Sequence, residues 1–201
     1  MEIKEILLAT NNQGKVKEMK SILSDLGIDV YSLKDKGIDI DVEEDKKTFE
    51  ENALKKAEEI SKISGMITVS DDSGLEVYAL DLRPGIYSAR YAGEGATSDM
   101  LCEKLLSEME NVPDSERGAR FVSVAAIVYP NGKKLTLRGE CEGTIIKEKR
   151  GSGGFGYDPV FYIEEKGQTF SEMPLEEKNK ISHRAKAFAK LKVHLIDEIN
   201  N

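Results

Sequence analysis

The sequence predicts an α/β fold in which a central mixed sheet is flanked by helices, and three observations carry that expectation. Buried-strand runs alternate with amphipathic helical stretches through the first half of the chain, the pattern of strand–helix units. Later, the apolar run Ala119–Tyr129 leads into Asn131-Gly132, a strong hairpin signal, so antiparallel pairing enters there. The chain has 201 residues, 39% hydrophobic and 33% charged, with no Trp. That length and composition suit one large domain or two lobes.

Taken in order, Ile3–Thr10 carries Ile6, Leu7, Leu8 and Ala9 and reads as a buried strand. The loop Thr10-Asn11-Asn12-Gln13-Gly14-Lys15 opens a helix with Val16, Met19, Ile22, Leu23 and Leu26 at helical spacing, stopped by Gly27. Ile28–Leu33 reads as a second strand and residues 39–47 as an acidic loop. Thr48 caps a helix to about Ser64, with Glu51 completing a capping box. Phe49, Ala53, Ala57, Ile60 and Ile63 share one face of that helix, and Asn52 and Lys56 fall inside the same stripe. A lysine there either snorkels past the edge or holds its ammonium in a pocket facing an anion, and the pocket is preferred.

The run Met66–Val69 reads as a strand ending on Asp71 and Asp72, with Ser73 and Gly74 following. Carboxylates at the end of a buried strand lie where α/β folds open their active-site crevice. Two adjacent acids repel, so one is raised in pKa or a cation sits between them. Asp-Ser-Gly is also ordinary turn chemistry. Thr97 or Ser98 begins a helix with Leu101, Leu105, Leu106 and Met109, and residues 111–118 form a polar linker. After the hairpin a returning strand, Lys133–Lys149, is expected to break near Gly143. The glycine-rich loop Arg150–Pro159, a short strand Val160–Ile163, and a last helix capped by Ser182 complete the chain. Ala185, Phe188, Leu191, Leu195 and Ile199 share a face of that helix.

Composition excludes several classes. A net charge of −8 argues against a nucleic-acid binder that relies on phosphate neutralisation. Cys102 and Cys141 lie far apart, with only His183 and His194 to help, so a zinc site has no support. No apolar run approaches the ~20 residues needed to span a membrane, and Met1-Glu-Ile-Lys-Glu is no signal peptide, so the expected location is the cytoplasm.

Three constellations bear chemistry. The first loop joins a strand to a helix start beside Lys15, an arrangement that suits a polyphosphate, yet it lacks P-loop spacing and alone reads as a plain Asx-type cap. Gly151–Gly156 brackets Phe155 and Tyr157 ahead of Asp158. A ring there can stack on a base while amides and an aspartate read its edge, or the stretch is simply a glycine-rich turn. Ser182-His183-Arg184 sets cations against a helix dipole, with Lys178 nearby, which serves a base edge or phosphate unless it is a solvated polar end. Together with the Asp71–Asp72 carboxylates, which could hold a metal, they point to a metal-dependent reaction on a nucleotide.

Six ordered motifs then carry a resemblance: Thr10–Lys15, Phe49-Glu-Glu-Asn-Ala53, Asp71-Asp-Ser-Gly-Leu75, Pro84–Gly93, Gly154-Phe-Gly-Tyr-Asp-Pro159 and Ile181-Ser-His-Arg184. The chain resembles the non-canonical purine nucleoside triphosphate pyrophosphatases. The resemblance implies a single domain over residues 1–201, built as an elongated two-lobed α/β subunit with a cleft, and a homodimer. It implies magnesium-dependent hydrolysis of ITP, dITP and XTP to the monophosphate and pyrophosphate. By motif, Thr10, Asn11, Asn12, Gln13, Gly14, Lys15 and Lys56 would hold the triphosphate, and Ser73 would touch substrate. Asp72 would bind magnesium and act as general base. Phe155, Gly156, Tyr157, Asp158, Lys178, His183 and Arg184 would frame and read the base. For a second metal ligand the resemblance indicates an acid in the Glu43–Glu51 region. Glu51 fits the motif but its helical position turns it from the Lys56 face, and Glu43 is the alternative. A septum-inhibitor-like pyrophosphatase would need a different base pocket, and a non-catalytic nucleotide-binding module would tolerate Asp72→Asn.

Overall fold

Ile6, Leu7 and Leu8 are fully buried and set the first strand, β1 (Glu5–Leu8), inside a seven-stranded sheet. The computed structural model describes residues 3–200. The other strands are β2 (Asp29–Ser32), β3 (Thr68–Val77), β4 (Gly118–Val128), β5 (Lys134–Ile145), β6 (Phe161–Ile163) and β7 (Gln168–Thr169). Their order is β2-β1-β3-β4-β5-β6-β7. β1 pairs parallel with β2 and β3, whereas β5–β6 and β6–β7 are antiparallel. The sheet is therefore mixed, as expected. The helices are α1 (Gln13–Leu23), α2 (Phe49–Ser64), α3 (Ser98–Glu108), α4 (Leu175–Ile181) and α5 (His183–Asn200).

The chain folds into two units. One comprises residues up to Asp72, Ser123–Gly139 and Arg184 onward, and the other comprises Ser73–Val122 and Glu140–His183. Each has its own apolar core. In the first, Val16, Met19 and Leu23 of α1 and Phe188, Leu191 and Leu195 of α5 pack with Ile6, Leu8 and Val69. In the second, Leu101 and Leu105 of α3 pack with Leu75, Phe121, Phe161 and Phe170. The strands β3, β4 and β5 each run from one unit into the other.

Several local expectations are corrected. The doubled aspartate does not end its strand: β3 continues through Ser73 and Gly74 to Val77, and nine of its ten residues are buried. Side chains buried along the whole run make ladder pairing, not a turn, the favourable state. Gly143 does not break β5. A Cβ there would lie 2.6 Å from the Phe161 ring, so this glycine admits a close ring rather than a bend. Ile63 and Ile199, placed on apolar faces by periodicity, are 57% and 38% exposed, because each stands in the last turn of its helix, beyond the packed face. β7 and α4 carry no strong periodic signal and escape sequence reading. Thr48 caps α2 as expected, accepting from Glu51 N at 3.2 Å.

Candidate active site

The first unit gathers the phosphate-friendly loop, the aspartates and Lys56. Asn12 caps α1 by accepting from Lys15 N at 3.1 Å, while Thr10 Oγ1 accepts from Asn12 N at 3.2 Å. Asn11 donates to the Ile40 carbonyl at 3.0 Å and Gln13 to the Asn11 carbonyl at 3.2 Å. These bonds fix the loop with α1's first amides at its mouth, where an anion is favoured. Lys15 Nζ reaches Asp71 Oδ1 at 3.1 Å.

Successive strand residues face opposite sides, and this separates the two aspartates chemically. Asp71 Oδ2 accepts from Arg184 Nε and Nη2 at 3.1 and 3.0 Å, and from Ser123 Oγ at 3.4 Å. The second carboxylate on that guanidinium is Glu18 of α1, itself buried. Burial pushes the Asp71 carboxyl up, but Arg184, Lys15 and Lys56 outweigh it and hold the group well below the usual carboxylate range. Arg184, expected at the base, is instead 1% exposed and committed to Asp71 and Glu18. A guanidinium that far from water is stable only with such paired acids.

Asp72 has the opposite surroundings. Ser70 Oγ donates to the Ala53 carbonyl at 2.5 Å and ties β3 to α2, which brings Lys56 over the strand. Lys56 is 8% exposed, the pocket arrangement. Its ammonium donates to the Asp71 carbonyl at 2.7 Å and to the Glu44 carboxylate. Burial raises the Asp72 carboxyl, Lys56 pulls it down, and Glu44 raises it again; the net position is about 6. A carboxyl poised there can accept a proton near neutrality.

Glu44 is thus the acid that stands with Lys56 and Asp72, and neither expected candidate does. Glu51's carboxylate accepts from Lys47 N at 3.2 Å and from Thr48 Oγ1 at 3.1 Å, closing the helix cap. Glu43 is exposed, and its backbone carbonyl accepts from Lys55. The loop 39–47 has no periodicity, so no sequence signal could select Glu44 among its acids. Among the described residues no group of three or more His, Cys, Asp or Glu is arranged to hold a metal ion. Two hard carboxylates, one pushed up in pKa by burial and the other's charge, still fit magnesium, which takes one or two carboxylates and completes its shell with water and phosphate.

In the second unit the glycine-rich loop is held from several sides. Asp158 Oδ2 accepts from Phe155 N at 3.0 Å and from Lys178 Nζ at 2.7 Å, both partners of that ion pair being 3% exposed. Lys178 Nζ also lies 5.1 Å from the Phe155 ring centre. Tyr157 is in the core, its hydroxyl donating to the Ser88 carbonyl at 2.8 Å. His183 stacks on Phe121 with ring centres 4.6 Å apart. A half-buried ring, a buried ion pair and a ring-stacked histidine are the kinds of group that read a flat heterocycle. Ser73, half-buried, follows Asp72 directly on β3.

The family model described as the Ham1 family matches residues 6–194. The chain is 52% identical over 190 residues to a Geobacter sulfurreducens protein named dITP/XTP pyrophosphatase, covering 94% of this chain and 96% of that one. It is 50% identical over 196 residues to a Bacillus licheniformis protein of the same name, covering 98% and 100%. Among solved structures, the Staphylococcus aureus Ham1 protein superposes with a TM-score of 0.85 at 42% identity, over 97% of this chain and 100% of that one. A Coxiella burnetii HAM1 protein gives 0.87 at 40%, again over 97% and 100%. The matched span contains the Lys15 loop, both aspartates, Lys56 and the glycine-rich loop, and on that ground the chain belongs to the Ham1 family.

Proposed function

We propose that this protein hydrolyses non-canonical purine nucleoside triphosphates, dITP, ITP and XTP, to the monophosphate and pyrophosphate, with magnesium as cofactor and water attacking the α-phosphorus. The names of its relatives support the substrate class. The observation that supports the mechanism is geometric: the Asp72 carboxyl is buried on β3 beneath Lys56 of α2, whose ammonium also meets the Glu44 carboxylate. In this reading Asp72 takes the proton from the attacking water. Lys15, Lys56 and the first amides of α1 hold the triphosphate by charge and hydrogen bonds. Asp72 and Glu44 would hold magnesium, which when bound neutralises phosphate charge and makes the phosphorus more electrophilic.

Phe155 supplies a stacking face, and Lys178 and His183 supply donors suited to a 6-keto oxygen. Adenine carries an amino donor at that position, so it leaves such donors unanswered. Arg184 acts through Asp71, not on the base. The whole chain works as one functional domain, as a homodimer, on the cytoplasmic nucleotide pool. No helix among the described residues is long and apolar enough to cross a membrane.

Hydrolysis of dITP in ¹⁸O-water with magnesium tests the reading. The label is expected in the monophosphate, with unlabelled pyrophosphate as coproduct and little turnover of ATP. Label in the pyrophosphate, or orthophosphate as first product, would overturn the position of attack. Light scattering on the purified protein checks the dimer.

A further inference from the structure

Helix α3 carries two side chains that grip one residue of the glycine-rich loop. Ser98 Oγ accepts from Gly156 N at 2.8 Å, and Cys102 Sγ donates to the Gly156 carbonyl at 3.4 Å. Four residues apart, they lie one turn apart on the same helix face. The helix can use Ser98 in this way because its own first turn is capped by Thr97, whose Oγ1 accepts from Met100 N at 3.3 Å. Gly156 adopts φ +62° with open space where a Cβ would stand, so the backbone conformation, not crowding, asks for glycine.

The other fixings of this loop show what the grip adds. Its neck is closed by Arg150 N donating to the Pro159 carbonyl at 2.9 Å. Gly153 N donates to the Ser171 carbonyl at 3.0 Å, and Ser171 Oγ donates back to the Gly153 carbonyl. Phe155 N is held by Asp158, a residue of the same loop. On the far side of Phe155 the Tyr157 hydroxyl donates to the Ser88 carbonyl, Lys178 holds the Asp158 carboxylate and Ser171 N donates to the Asp158 carbonyl at 3.3 Å, while Gly156 itself is anchored by α3. The same helix also holds the approach to the loop, where Lys149 Nζ meets Asp99 Oδ1 at 2.8 Å.

We propose that Ser98 is a positioning residue for purine recognition: acting through Gly156, it fixes the Phe155 ring and the Asp158–Lys178 pair before substrate arrives. The proposal rests on the assignment of these groups to the base. Without the hydroxyl, Gly156 N loses its partner on α3 and the Phe155–Asp158 segment is less tightly fixed, so affinity falls by the cost of restoring that order on binding. Because the triphosphate is assigned to groups of the other unit, its binding should not feel the change.

Equilibrium binding of dIMP and steady-state hydrolysis of dITP, measured on Ser98→Ala and Ser98→Thr, test this. Ser98→Ala is expected to weaken dIMP binding and raise the dITP KM by about three- to tenfold, the usual worth of one hydrogen bond, with kcat little changed. Inhibition by inorganic tripolyphosphate should stay at the parent value, and Ser98→Thr, which keeps the hydroxyl, should restore dIMP affinity. An unchanged dIMP affinity in Ser98→Ala would overturn the proposal. So would weakening of tripolyphosphate inhibition in parallel, since a general loosening would then explain the loss. A parent protein that binds dIMP but leaves dITP intact would instead count against the proposed reaction, while the affinity series would still decide the role of Ser98.

Discussion

Replacing Asp72 with Asn is expected to abolish turnover and, in metal-free protein, to make the fold more stable. The carboxyl is 3% exposed and its pKa rises from 3.8 to about 6 on folding. At about 1.4 kcal/mol per unit, ionised Asp72 therefore costs the native state up to about 3 kcal/mol. The sign follows from linkage. Between pH 3.8 and 6 the folded state binds more protons than the unfolded one, so stability falls as pH rises through that window. Above it the penalty is constant, and below about pH 4 it is gone. Asn keeps the shape and never ionises, so the variant escapes the penalty.

Urea unfolding in EDTA, at pH 8 and at pH 4, measures this directly. At pH 8 the variant's midpoint should lie higher by about 1 M urea, given slopes of 1–3 kcal/mol/M. At pH 4 the two midpoints should converge. Saturating magnesium should narrow the pH 8 gap by stabilising only the parent, and kcat of the variant should fall by 10²-fold or more, roughly the worth of a general base. A variant no more stable than the parent at pH 8 would refute the reasoning, because the buried carboxylate would then carry no penalty for catalysis to use.

Three further outcomes follow from the structure. Glu44→Gln is expected to weaken magnesium-dependent activity at least tenfold, about the effect of losing a hard ligand or its orienting partner. Glu51→Gln should leave kcat/KM intact and, since Gln keeps the accepting oxygen and loses only a first-turn charge, cost about 0.3–1 kcal/mol of stability; magnesium titrations of activity and thermal melts separate the two. Gly143→Ala places a methyl 2.6 Å from the Phe161 ring and 2.8 Å from the Tyr162 carbonyl, and overpacking of this kind costs about 1–3 kcal/mol. Scanning calorimetry should show Tm lowered by roughly 3–10 °C.

Much of this was legible in the sequence because periodic burial dictates it. The Thr48 cap, the stripe on α2 from Phe49 to Ile60 and the position of Lys56 inside it stand as the sequence places them, and only Ile63 at the end of the stripe does not. The misses have physical causes. A strand buried along both faces carries no alternation to mark its end, so Asp-Ser-Gly at 72–74 read as a turn when β3 runs on to Val77. Gly143 looked like a breaker because a sequence shows a missing side chain but not the Phe161 ring that takes its place. Glu44 lies in an irregular loop, where only tertiary contact with Lys56 distinguishes it from Glu43 and Asp45. Arg184 looked like a base reader because it sets a cation against a helix dipole within the matched Ile181–Arg184 motif, and nothing in its spacing announces Asp71 and Glu18 as its partners.

The doubled aspartate places two acids side by side in sequence but in different surroundings. Asp71 is satisfied: Arg184, Lys15 and Ser123 surround its side chain, and with Glu18 the four charges of that cluster sum to zero. A buried, balanced network of this kind is rigid. It fixes the backbone of β3 at the residue before Asp72, and it accepts Lys56 on its own carbonyl. Asp72 has different surroundings: burial and Glu44 push its carboxyl up while Lys56, Lys15 and Asn52 pull it down. The paired neighbour holds β3 in place where Asp72 stands, and the strand's alternation keeps the two carboxyls on separate faces.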